Sequence, residues 1–221
     1  MFLFLFSFFC SAWATPATKI YGKFQISGFS FGGRVLGEIY FSEHGEFHIQ
    51  IFRPSGLSIL SLTTTKNDAC FLFDFDSTQY IGTHEDFAAL SNANLKASEL
   101  PLIFAPDPNK NPNWSWDRNA SNKKLKKLTI PLDNENILLE TKYHHWKKDR
   151  LSRVSIHILE NEWKLKANLR ETETVDWNFS CEPSEGVQVF PLEKMKSSIT
   201  PEKRKNRLKK MLNQLEAHPQ R

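Results

Sequence analysis

The segment Gly28-Phe29-Ser30-Phe31-Gly32 carries the G-x-S-x-G spacing of a serine nucleophile elbow. That elbow needs a buried strand before the serine, a helix directly after it, and a later acid and histidine. Ser30 is instead followed by Arg34–Ser42, whose alternating Val35, Gly37, Ile39 and Phe41 predict a strand, so the serine has no helix to sit on. Asp74 and Asp76 share one face of a predicted strand, the arrangement of a carboxylate pair for acid–base work. They also match the solvated end of a strand entering Ser77-Thr78. His144 and His145 are adjacent, and adjacent side chains on a strand diverge, so they do not converge on one metal ion. The chain has no Cys-x-x-Cys and no glycine-rich phosphate loop leading into a helix. No catalytic residue, metal site or cofactor is assigned, and the chain reads as a binding protein, not an enzyme.

Cys70 and Cys181 remain after a leader cysteine, Cys10, is set aside. They are read either as a bridge closing a long loop or as two buried thiols.

The elements around these residues are mostly strands. Ile20–Phe31, Arg34–Ser42, Phe47–Phe52, Leu57–Thr63 and Ala69–Phe75 alternate apolar and polar residues and are joined by short turns, which predicts an antiparallel meander. Thr83 is placed as the N-cap of a helix with Glu85 and Asp86 in its first turn and Phe87 and Leu90 on its buried side. Glu99–Ala105 reads as a second short helical segment. Pro106–Asn122 is rich in Pro, Asn and Asp and reads as a long loop carrying Trp114 and Trp116. Strands resume at Ile137–Trp146, Arg153–Leu159, Trp163–Arg170 and Thr174–Cys181, and Gly186–Leu192 ends the series as an edge strand. The fold class is mainly β (α+β), an incomplete antiparallel barrel or strongly curved sheet closed by short helices.

The ends differ from the middle. Residues 1–14 form an uncharged apolar run with five of the chain's 18 Phe and an Ala12-Trp13-Ala14 end, the pattern of a signal peptide for an exported chain. Residues 15–195 form the β domain. Residues 196–221 hold eight Lys or Arg and two Glu, while the whole chain is only +4, so the rest is slightly acidic. That distribution excludes a nucleic-acid-binding core. Leu208, Met211, Leu212 and Leu215 give the tail a narrow apolar stripe, a helix suited to an anionic membrane surface or an acidic partner.

Gly28–Val35, Phe47–Phe52, Pro54-Ser55-Gly56 with Leu57–Leu62, Gln79-Tyr80, Glu85-Asp86-Phe87 and Leu100-Pro101-Leu102 follow one another in an order that resembles LolB, the outer-membrane lipoprotein receptor, and more distantly the periplasmic carrier LolA. The resemblance covers residues 20–105. It implies an incomplete eleven-strand barrel around an apolar cavity for the acyl chains of lipid or lipoprotein, work in the periplasm or at the outer membrane, and exchange with a periplasmic carrier protein. The cavity candidates are Ile49, Ile51, Leu60, Leu62, Phe71, Phe73, Phe87 and Leu90, with Trp114 and Trp116 as a lid. Each of these is equally a core-packing residue when taken singly. In the receptor an exposed Leu in the Pro-x-Gly turn contacts the membrane. Here Ser55 holds that position and Leu57 follows two residues later, and Cys10 lacks the small residues of a lipobox. A regulatory or scaffold module that uses the same fold to bind a protein partner is the alternative.

Overall fold

The computed structural model describes residues 14–28, 31–74, 76–91, 95–131, 137–147, 150–158 and 163–198. Residues 1–13 of the expected signal peptide, Ser30, Phe75 and residues 199–221 of the tail lie outside them.

Twelve strands make one curved, open sheet. They are β1 (Thr15–Gly28), β2 (Phe31–Ser42), β3 (Phe47–Phe52), β4 (Ser58–Thr64), β5 (Asp68–Phe73), β6 (Thr78–Thr83), β7 (Ser115–Arg118), β8 (Leu125–Pro131), β9 (Ile137–Lys147), β10 (Arg150–Ile158), β11 (Trp163–Trp177) and β12 (Gln188–Pro191). Their order is β12-β6-β5-β4-β3-β2-β1-β11-β10-β9-β8-β7, and the two ends do not pair, so no barrel closes. All pairs are antiparallel except β12 with β6, which is parallel. The chain reaches that edge by running Asn178–Val187 across the outer side of the sheet.

Local chemistry sets the turns. Arg53-Pro54-Ser55-Gly56 is a tight turn in which Gly56 N–H donates to the Arg53 carbonyl at 2.9 Å. Gly56 then takes φ +86°, a backbone that favours glycine. Helix α1 (His84–Ser91) begins with a reciprocal cap. Asp86 N–H donates to Thr83 Oγ1 at 3.2 Å, and Thr83 N–H donates to Asp86 Oδ2 at 2.7 Å. Such a cap contributes on the order of 1 kcal/mol. A 3-10 turn at Ala97–Glu99 and α2 (Pro101–Phe104) follow, with all four α2 residues buried. Helix α3 (Glu193–Ser198) ends the described chain.

Several expectations change. Thr78–Thr83 is a sheet strand, and the predicted loop 106–122 contains β7, with β8 after it. The strands predicted at 163–170 and 174–181 are one strand, because a bulge opposite Ile20/Tyr21 absorbs an extra residue instead of ending the pairing. It stops at Trp177, leaving Phe179 and Cys181 beyond it. Asp74 and Asp76 lie in the turn after β5, not on a strand.

Phe24 shows how the centre of the sheet packs. Its ring lies over Gly22 and Gly37, a directly opposed pair on β1 and β2. Phe24 is buried with Val35, Ala167, Val154 and Tyr143, its register neighbours from β2 to β9.

Candidate functional site

Pairing brings scattered apolar residues of six strands into two rows on the inner face. Ile39, Ile49, Leu62, Phe71, Tyr80 and Phe190 lie side by side across β2, β3, β4, β5, β6 and β12. One pair further along, Ile51, Leu60 and Phe73 form the second row. Helix α1 covers part of this face, its Phe87 ring parallel to Phe71 at 6.0 Å between centroids. Phe73 meets Tyr80 edge-on, and Tyr80 in turn meets Phe190.

Burial runs against polarity here. Ile49, Ile51, Leu60, Leu62, Phe71, Phe73 and Leu90 are all partly exposed, although they face inward. Their outward neighbours His48, Ser61, Thr63 and Cys70 are buried. An ordinary half-buried strand shows the reverse. The inner face is filled at its other end, where Phe47, Thr64 and Ala69 are sealed and Phe47 stacks near Phe104 of α2. The partly exposed end is the end of the sheet that carries the Arg53–Gly56 turn.

The outer burial is the work of the Asn178–Val187 strap. Cys181 is bridged to Cys70, with Cα atoms 5.7 Å apart, so the two cysteines form a disulfide. The buried Gln79 donates from Nε2 to the Cys181 carbonyl at 3.1 Å. Trp177 stacks on Tyr40 at 3.8 Å, and Ala17 and Phe179 complete a small outer cluster. His48 sits beside Trp177, paired through Nδ1 with Thr63 Oγ1 at 2.8 Å. Burial pushes its imidazole down to about 4, so it is neutral at pH 7. Burial, then the hydrogen bond to Glu38, raises Tyr40 to about 12.

The remaining candidates separate from the rows. Trp114 is buried in the core and Trp116 lies on β7, at the far edge of the sheet. Trp116 donates from Nε1 to the Asn111 carbonyl at 3.0 Å, and Asn111 donates to Glu99 at 2.6 Å. These bonds fix the Trp116 ring against the segment before β7, and the Trp114 and Trp116 ring centroids lie 5.8 Å apart. Ser55 and Leu57 are exposed at the turn, and Leu57, 62% exposed, is the more exposed of two exposed large hydrophobics among the described residues. Ile39, Tyr80 and Phe190 complete the first row; Phe190 was assigned only to an edge strand, and a parallel crossover leaves no local pattern to reveal its place.

No catalytic arrangement appears among the described residues. Asp74 accepts from Ser58 Oγ at 2.6 Å, His144 pairs with Ser155 at 2.9 Å, and no group of three metal-ligating side chains converges.

No family profile matches this sequence, and no curated protein does. Among solved structures the chain is similar to a LolA superfamily protein from Nitrosomonas europaea, at 9% identity and TM-score 0.51 over 74% of this chain and 90% of that one. It is also similar to a DUF1329 family protein from Desulfovibrio piger, at 6% identity and TM-score 0.48 over 72% and 85%. Identity this low speaks to architecture alone: the curved open sheet with its short helices is a LolA-like fold.

Proposed function

We propose that the inner face between α1 and strands β3–β6 binds the acyl chains of a lipid or lipoprotein, in lipoprotein transport or insertion at the outer membrane. The observation that carries this reading is the partial exposure of seven large apolar side chains on a face that a monomer would otherwise seal. A group of partly exposed apolar side chains on one face favours a place where something apolar sits. The LolA-like architecture and the resemblance over residues 20–105 support it, and they support a periplasmic site of work. Leu57, at the same end as the open rows, supplies a contact through which the protein meets a membrane.

The test is direct. Lipid extraction and mass spectrometry of the purified protein should find acyl species, and a fluorescent fatty acid should bind. Leu62→Glu and Phe71→Glu place a charge in the rows and should each weaken that binding at least tenfold while the β spectrum is retained. An empty extract together with no fatty-acid binding by the parent protein ends the proposal and leaves the protein-binding module in its place.

A further inference from the structure

The outer side of the sheet has two halves. Over β3–β6 it lies beneath the strap; over β8–β11 no described segment crosses it. From that bare half onto β1 and β2, register places Lys127, Lys142, Ser155, Lys166, Gln25 and Arg34 side by side on six successive strands, β8, β9, β10, β11, β1 and β2. Strands lie about 4.8 Å apart, so like charges in such a row repel and cost the fold stability. Arg153 and Lys164 flank the row and, with Lys142 and Lys166, line a shallow depression of about 410 Å³. Its single lining carboxylate, Glu140, is engaged by Lys127 at 2.7 Å and Lys142 at 2.9 Å.

We propose that this face is a docking surface for an anionic phospholipid bilayer. The depression is lined by cations, imidazoles and a hydroxyl, and its one apolar residue, Ile156, is buried. Protein interfaces are built on exposed aromatic and apolar anchors and are poor in lysine, so an acidic protein finds no core to close upon here. A broad array of cations without an anchor suits a surface of phosphates, where each Lys or Arg contributes about 1 kcal/mol. The face lies on the opposite side of the sheet from the apolar rows, so the contact is independent of what the inner face holds. It also differs from the basic tail, which is present in every variant below.

The experiment is sedimentation of the protein with phosphatidylcholine vesicles, with and without phosphatidylglycerol, across a salt series. The parent protein should bind the anionic vesicles with a steep salt dependence and leave the neutral ones in solution. The triple variant Lys142→Gln, Lys164→Gln, Lys166→Gln should bind roughly a hundredfold more weakly, with fatty-acid binding unchanged. Glu140→Gln should bind several-fold more tightly, an opposite sign that misfolding does not produce. The proposal is overturned if the triple variant stays within twofold of the parent, if neutral vesicles bind equally, or if polyglutamate or duplex DNA binds by these lysines while anionic vesicles do not.

Discussion

Leu62 and Thr63 are chain neighbours on β4 with exchanged environments. Thr63 is 6% exposed and paired with His48 beneath the strap, while Leu62 stays partly exposed between Ile49 and Phe71. Burying a threonine beneath the strap and leaving a leucine partly exposed costs stability on folding, a cost that an apolar ligand over the rows would recover.

If acyl chains lie along those rows, affinity follows chain length. Burying one methylene contributes about 0.8 kcal/mol, so a probe two carbons shorter should bind roughly fifteenfold more weakly. Titration of a homologous fatty-acid series measures this; affinity that ignores length contradicts apolar burial.

The Cys70–Cys181 bridge closes a separation of 111 residues. Loop entropy assigns such a link about 4 to 5 kcal/mol. Replacing both cysteines with Ala should lower denaturant stability by several kcal/mol, read from the unfolding midpoint, and expose Trp177 to quenching. Equal stability with and without the bridge refutes the strap's role.

His48 gives a pH signature. Its folded value, about 4, lies below the unfolded 6.5, so between these limits the unfolded chain binds more protons. Stability is therefore complete above pH 6.5 and falls on acidification, by about 3 kcal/mol once pH reaches 4. The difference in unfolding free energy between the parent and His48→Gln, followed from pH 7 to 4, isolates this part; a flat difference shows that the imidazole charges freely in the fold.

Gly37 tests the centre of the sheet. A Cβ there would stand 2.5 Å from Phe24 Cε2 and 3.0 Å from the Gln50 carbonyl oxygen. Gly37→Ala should cost about 1 to 3 kcal/mol by overpacking, and Phe24→Leu in the same chain should recover part of it. Additive losses in calorimetry contradict the contact.

Leu57→Ser should leave thermal stability nearly unchanged, since most of the side chain is already in solvent. Its effect should appear as weaker partition into vesicles.

The strands whose two faces differ in polarity were legible from the chain. Period-two alternation located β2 to β5, and the Thr83 cap located α1, because both signals are local. The segments Thr78–Thr83 and Leu125–Pro131 escaped notice because Gln79 is buried under the strap and Lys126-Lys127 mask the apolar set of β8. The inner-face residues Ile49, Ile51, Leu60, Leu62, Phe71 and Phe73 were legible as one face. Their partial exposure was not, because it depends on where α1 stops. The strap, the disulfide and the parallel partner of β6 join residues about 100 positions apart, and no local pattern encodes such pairings.

The position of β1 governs the order in which the molecule is completed. It sits between β2 and β11, so its second neighbour begins only at Trp163. During synthesis, Thr15–Gly28 therefore presents an unpaired edge until almost three quarters of the chain has been made. Contacts of such sequence separation make folding slow, and an open edge of fourteen residues is a template for self-association. A holding chaperone that occupies nascent strand edges would shorten the interval in which two unfinished copies can join.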